Sequence, residues 1–300
     1  ELTPEDIDTG AVILTGEALK RTNARAIADL FADKSGKFVC ASAGHHLESL
    51  MAANGSGAVA LSRKENITVL NIDVGGGTIK LALCEKGKLT ATSAFAVGGR
   101  LIAFDENGKM VRIEGPAEQV AQDVSVSLEL GKELPEEDRK KIVNRMVEVL
   151  VSYANRDTGD DPLCEALRLT DHLPKNPDID AITFSGGVSE FVYGREEQDR
   201  GDLGKSLAHE IRHALGHKRI APKVYDPGAG IRATVVGASQ FTVQVSGNTI
   251  FISDPGKLPI RNVPVAYLDC DVTGDFTKQD ISAAIAQAMV RLDMTDGETN

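Results

Sequence analysis

The sequence predicts an α/β protein with mixed sheets covered by helices, and three observations carry that prediction. Ala11 to Thr15 and Phe38 to Ser42 are short apolar runs, each followed by a helical pattern. Two such β–α units in tandem predict a parallel, helix-covered sheet. The run Ile67 to Val74 meets Gly75-Gly76-Gly77 and continues in the alternating run Thr78 to Cys84, which reads as strand, tight turn, strand. Amphipathic helices then alternate with a further strand, Ile179 to Phe184, that ends in Ser185-Gly186-Gly187.

The elements follow in order. Glu1 to Gly10 is an acidic lead. After the first strand a helix is expected from Glu17, with Leu19, Ala26, Ile27, Leu30 and Phe31 on one face. His45 to Asn54 is helical, closed by Gly55-Ser56-Gly57, and Ser62 to Asn66 reads as a polar lead-in to the glycine-bearing strand. Past the glycines the period is two: Thr78–Cys84, Lys88–Val97, Leu101–Phe104 and Met110–Ile113 read as one antiparallel meander. Helices are expected over Ala117–Leu128, from Pro135 with acids in the first turn, and over Leu163–Leu169. Phe191 to Gly201 reads as a loop, Leu203 to Leu215 as an amphipathic helix, and Ala221 to Tyr225 as a strand. Pro227-Gly228-Ala229-Gly230 opens a helix over Ile231–Phe241. Strands are expected at Phe241–Val245, Thr249–Ser253 and Val263–Leu268. Thr277-Lys278-Gln279-Asp280 resembles a capping box before the last helix.

Composition narrows the function classes. In 300 residues, 42% are hydrophobic and 26% charged, as in a globular protein with room for two domains. A net charge of −11 argues against non-specific nucleic-acid binding and against attachment to an anionic membrane. It does not exclude a nucleotide held by a local nest of N–H groups. Cys40, Cys84, Cys164 and Cys270 form no CxxC pair and read as reduced, mostly buried thiols. No run is long enough to span a bilayer and no signal peptide is visible. The chain opens on Glu1 rather than Met and reads as a fragment of a longer protein.

The glycine hairpin is the first candidate site. Three consecutive glycines are more than turn geometry needs, and they let backbone N–H groups approach an anion. Asp73, at the strand's end, can hold Mg²⁺, which favours one or two carboxylates beside phosphate oxygens, and Thr78 adds a hydroxyl. An ordinary Gly-rich hairpin explains the same residues. Ser185-Gly186-Gly187 is the second strand end of this kind, and the two are expected to face each other across a cleft. Gly228-Ala229-Gly230, with Gly237, Ala238 and Ser239 after it, fits either a third ligand edge or tight helix packing. Arg100 reads as a phosphate contact or as a solvated arginine, and His209, His213 and His217 as a metal set or a surface row. Glu17 either orients a water for hydrolysis or sits in a first helical turn where the dipole favours an acid.

These residues carry a family resemblance. Ile72-Asp73-Val74-Gly75-Gly76-Gly77-Thr78 resembles the second phosphate motif of the actin/Hsp70/sugar-kinase superfamily, and Phe184-Ser185-Gly186-Gly187-Val188 resembles its adenosine motif. Within it, Gly10 to Glu17, Leu47-Glu48-Ser49, Ala96 to Ile102 and the long run Ile231 to Thr249 are similar to the ethanolamine ammonia-lyase reactivating factor (EutA) family. The resemblance implies an actin-like ATPase (ribonuclease H-like) fold. Residues 1–71 would be the end of a first domain, 72–241 the second domain, and 242–300 C-terminal strands and a helix. It implies ATP and Mg²⁺ as cofactors. Gly75, Gly76, Gly77 and Thr78 would hold phosphate, Asp73 would place the metal and water, and Ser185, Gly186 and Gly187 would pack on the adenosine. The superfamily's first phosphate motif is not in this sequence, so the first domain is expected to be incomplete, with a sheet edge that invites self-association.

The implied activity is an ATPase that reactivates an adenosylcobalamin-dependent ethanolamine ammonia-lyase by releasing damaged cobalamin. Its partners are that enzyme and a nucleotide, with no nucleic acid and no membrane, and its setting is the cytoplasm or a bacterial microcompartment. A metabolic kinase and an actin-like filament protein of the same superfamily are the alternatives.

Overall fold

In the computed structural model, residues 10–15, 38–220, 223–228, 230–240, 268 and 277–294 are described. They fall into two compact units, one within 49–237 and one drawn from 1–48 and 238–300. The expectations for Glu17 and its helix, and for strands at Phe241–Val245 and Thr249–Ser253, lie outside the described residues, as does all but the final residue of Val263–Leu268.

In the smaller unit, β1 (Gly10–Thr15) pairs in parallel with β2 (Phe38–Ala43), the arrangement the tandem β–α reading predicts. Helix α1 (His45–Gly55) begins in this unit. The Asp293 carboxylate accepts from the N–H groups of His46 (3.1 Å) and Leu47 (2.7 Å), two donors that a helix start leaves unpaired. Asp293 directly follows α9 (Lys278–Arg291) and Leu292. At the other end of α9, the capping box is formed: the Asp280 N–H donates to the Thr277 hydroxyl (3.2 Å) and the Thr277 N–H to the Asp280 carboxylate (2.8 Å).

The larger unit is organised by β3 (Thr68–Val74). It pairs antiparallel with β4 (Ile79–Glu85), which pairs antiparallel with β5 (Lys88–Phe95). On its other side β3 runs parallel to β8 (Ala181–Ser185), and β8 to β9 (Val224–Tyr225), giving a mixed sheet of order β5-β4-β3-β8-β9. The α/β class expected from the sequence is as observed.

Alternation sends the two sets of β3 side chains to opposite faces, and both are covered. Leu70, Ile72 and Val74 join Ile79, Leu81, Leu83, Ile182 and Phe184 in the main core. That core is closed by α3 (Gly115–Asp123), α4 (Glu136–Ala154), α5 (Pro162–Ala166) and α7 (Gly204–Gly216). Ile142, Val143, Met146, Val147, Leu150 and Tyr153 form the apolar stripe of α4. On the other face Val69, Ala82, Cys84 and Ala181 pack on Ala53 of α1 and Ala58 of α2 (Ala58–Glu65). Each fully buried Leu, Ile or Phe contributes about 2 kcal/mol, so the main core offsets the polar residues the second face must carry.

Three expectations are corrected. The polar lead-in Ser62 to Asn66 falls mostly in α2, whose exposed Arg63, Lys64 and Glu65 face solvent while Ser62 is buried, donating to the carbonyls of Ile67 (2.7 Å) and Cys84 (3.0 Å). The loop from Phe191 contains the end of a helical turn, α6 (Ser189–Val192). The meander divides: β6 (Ile102–Phe104) and β7 (Met110–Ile113) make their own two-stranded sheet. The physical reason lies at Gly98-Gly99-Arg100, where the chain leaves β5 and is bonded to the glycine hairpin instead: Gly99 N–H donates to the Gly75 carbonyl (2.9 Å) and Arg100 N–H to Gly76 (2.6 Å).

Candidate functional site

The hairpin forms as the sequence predicts. Gly75 N–H donates to the Thr78 carbonyl at 3.0 Å, closing the turn between β3 and β4. Gly76 and Gly77 form the exposed tip. A Cβ on Gly77 would meet nothing within 4 Å, so packing does not require a glycine there. No protein acceptor takes the N–H of Gly76 or Gly77 among the described residues, which leaves two adjacent donors without a protein partner at the exposed tip. Beneath the tip space is short: a side chain on Gly98 would strike the Gly76 carbonyl.

Ser185, Gly186 and Gly187 lie beside this hairpin rather than across a cleft from it. The parallel pairing of β3 and β8 puts Asp73 opposite Ser185, so both glycine turns leave the same end of one sheet on neighbouring strands. Gly186 takes φ +84°, and a Cβ there would strike the Val74 carbonyl, so this position needs glycine twice over. Its N–H donates to the Gly230 carbonyl (3.2 Å), and Glu190 accepts from the Ile231 N–H (2.8 Å). The third glycine candidate thus meets the second at a 3-10 turn, Gly230–Arg232. The small-residue helix that follows, α8 (Ala233–Gln240), satisfies the packing reading. A Cβ on Gly237 would run into the Met51 carbonyl, and one on Gly55 into that of Ala233.

Below the turns a line of polar side chains runs through a buried face. Ser185 Oγ donates to Asp73 Oδ1 (2.7 Å) and accepts from Asn71 Nδ2 (3.1 Å). Asn71 Oδ1 accepts from Thr183 Oγ1 (2.9 Å) and Ser56 Oγ (3.0 Å). Lys80, opposite Asp73 across the hairpin, puts its ammonium 4.0 Å from Asp73 Oδ2 and donates to Thr78 Oγ1 at 2.9 Å. Asp73 and Lys80 are each 4% exposed and Asn71 is fully buried. Buried polar groups of this number persist only when bonded to one another, and these are.

Sequence reasoning passed over Asn71 and Lys80. The signal was present: each interrupts an apolar strand, and the period of two puts both on the face of Asp73. The other candidates stand apart. Arg100 is exposed beside Gly76 and close enough to influence Asp202, whose carboxyl is pushed up by burial while the Gly204 N–H and Arg100 oppose the rise. His213 and His217 lie with ring centres 4.2 Å apart and planes tilted by 46°, and His217 Nδ1 bonds the His213 carbonyl at 2.9 Å. No group of three His, Cys, Asp or Glu among the described residues could hold a metal. Cys84 is buried and its thiol is raised to about 12 by burial, as expected of an inert core cysteine. No helix of the described residues is long and apolar enough to cross a membrane.

Comparison with known proteins agrees with the sequence resemblance. The chain is 37% identical over 297 residues to the ethanolamine ammonia-lyase reactivases EutA of Salmonella typhimurium and of Escherichia coli. The alignment covers 98% of this chain and 61% of each relative, so the chain spans about three-fifths of their length. Among solved structures, an exopolyphosphatase from Cytophaga hutchinsonii matches with a TM-score of 0.36 and 14% identity, over 77% of this chain and 75% of that one. The family model described as ethanolamine utilisation protein EutA matches residues 1–300, and the chain belongs to that family.

Proposed function

We propose that this chain is part of an ATP-dependent reactivating factor for an adenosylcobalamin-dependent ethanolamine ammonia-lyase, acting to release damaged cobalamin. The 37% identity to curated reactivases supports the activity and the partner. The observation that carries the nucleotide reading is the convergence of two glycine turns at one sheet end, joined by the Asp73–Ser185 hydrogen bond. A cytoplasmic setting, self-association and the division into domains at 71/72 and 241/242 belong to the same reading. Packing joins residues 49–71 to the hairpin's unit.

The residues present fit a polyphosphate. The N–H groups of Gly76 and Gly77, which no protein acceptor takes among the described residues, offer donors with the Thr78 hydroxyl at an exposed tip, open at Gly77 and flanked by Arg100 at Gly76. Ser185-Gly186-Gly187 offers a turn of backbone without side chains at Gly186 and Gly187 beside it for the nucleoside. Asp73, at the end of β3 that leads into these donors, would hold Mg²⁺, whose chemistry is to neutralise phosphate charge. Ser185 keeps Asp73 fixed by its hydrogen bond. No covalent step on the partner is needed. Nucleotide binding need only favour one of two conformations, and the shift cannot exceed its differential affinity for them.

The test compares nucleotide affinity in Mg²⁺ for this chain and for an N-terminally extended form, followed by phosphate release with and without inactivated lyase. Release that rises with the inactivated lyase supports the reading, and phosphate transfer to a sugar would end it. In the extended protein Asp73→Ala should abolish Mg²⁺-dependent hydrolysis, and unchanged turnover would remove Asp73 from the site.

A further inference from the structure

Lys80 is a costly residue where it stands. It is the second residue of β4, at the start of the run Ile79-Lys80-Leu81-Ala82-Leu83-Cys84, and its side chain is 4% exposed. A buried ammonium is tolerated only with partners, and a buried ion pair stabilises little compared with apolar residues of the same size. A leucine here would continue the strand and extend the small second core. The position of the ammonium is specific: 4.0 Å from Asp73 Oδ2 and 2.9 Å from Thr78 Oγ1, directly under the hairpin tip.

Two consequences follow from that geometry. First, Asp73 is a negative charge next to the place where a polyphosphate would sit. The Lys80 charge cancels it locally, so the site does not repel an anion even before a metal arrives. Second, Thr78 Oγ1 accepts a hydrogen bond from Lys80, which turns the hydroxyl's own proton away from the lysine and leaves it for another acceptor. A threonine so held can give its proton to an anion next to the N–H groups of Gly76 and Gly77, which no protein acceptor takes among the described residues.

We propose that Lys80 is a positioning residue of the nucleotide site: from beneath the glycine hairpin it orients the Thr78 hydroxyl as a phosphate donor and offsets Asp73, giving polyphosphate binding a component that does not depend on a divalent metal. The proposal rests on the nucleotide reading above and concerns how that site meets its anion. Lys80 acts through Thr78 and through its field, with no contact to the ligand required.

The experiment is ADP binding to the full-length gene product by titration calorimetry, in Mg²⁺ and in EDTA. Wild type is expected to bind in both buffers. Lys80→Met is expected to weaken binding in EDTA by at least about tenfold, the scale of one unit charge a few ångströms away in a partly buried site. It should lose markedly less in Mg²⁺, so that the EDTA-to-Mg²⁺ ratio of dissociation constants rises. Lys80→Arg should restore most of the EDTA affinity. Thr78→Val should weaken EDTA binding too, and adding Lys80→Met to it should cost less than Lys80→Met alone. Because Lys80→Met leaves the buried Asp73 carboxylate without its counter-charge, Asp73→Asn and Asp73→Asn/Lys80→Met provide a second comparison. The first should bind ADP more tightly in EDTA than wild type, and the second should lose that gain. Equal losses in both buffers, or no difference between the two Asp73→Asn forms, overturns the role of Lys80. No ADP binding by wild type in either buffer overturns the nucleotide reading itself.

Discussion

Asn71→Leu tests the buried polar line that underlies the site. The substitution keeps the volume closely and leaves the side chain within the sheet, so it creates no large cavity. It removes three hydrogen bonds: to Ser185 Oγ at 3.1 Å, from Thr183 Oγ1 at 2.9 Å and from Ser56 Oγ at 3.0 Å. At about 1 kcal/mol for each bond the loss is about 3 kcal/mol. Two details set the range. Ser56 Oγ keeps a bond to the Ala53 carbonyl (3.3 Å) and Ser185 Oγ keeps Asp73 (2.7 Å), which limits the damage. Thr183 Oγ1, in a fully buried residue, has no other partner among the described residues and carries the larger penalty. Urea unfolding followed by far-UV circular dichroism gives the change in stability, provided the slope of the transition is unaltered. Adding Thr183→Val should recover part of the loss, because removing both partners of a buried bond costs less than removing one. A change below about 1 kcal/mol for Asn71→Leu, or strict additivity of the pair, would refute the account of this face as a coupled network.

Further predictions address the turns, the helix crossing and acid stability. Gly77→Ala should leave stability unchanged, whereas Gly98→Ala, whose methyl meets the Gly76 carbonyl, should lower it by about 1–3 kcal/mol in the same urea assay. Gly237→Ala places a methyl against the Met51 carbonyl and should force α8 away from α1, lowering the thermal midpoint by several degrees, roughly the effect of 1 kcal/mol or more. Burial tends to raise the Asp161 carboxyl, but the Arg145 guanidinium (2.8 and 2.9 Å) and the Leu163 N–H (3.0 Å) outweigh it and hold Asp161 below its ordinary value of 3.8. A carboxyl depressed on folding adds stability above its unfolded value, and that stability disappears as pH falls through the folded value. Arg145→Met should therefore reduce stability at neutral pH and flatten its decline below about pH 4; identical pH profiles for the two proteins would show that the pair is not responsible.

Much of the larger unit was legible in the chain because its signals are local. The run to Val74, three glycines and the alternating run from Thr78 admit one reading, and β3 and β4 pair in that register from Thr68–Glu85 to Val74–Ile79. The apolar stripe of α4 and the capping box of α9 were equally plain. Helix α2 was missed because eight residues ending in Arg63-Lys64-Glu65 show too little of an apolar face to announce a helix. The split of β6 and β7 from the meander was hidden because it depends on where Gly98 and Gly99 dock, not on the strands themselves.

The sequence by itself determined the elements, the glycine hairpin with Asp73 and Thr78, and the family to which the chain belongs. Only the tertiary structure decided that Ser185 stands beside Asp73, since the two are 112 positions apart and parallel pairing leaves no mark on either strand. It decided also that the face carrying Asn71, Asp73 and Lys80 is buried, and that Asn71 finds Ser56, Thr183 and Ser185 there. A side chain's type is written in the sequence, but its partners are set by which strands become neighbours, and a buried charge acquires its role from those partners alone.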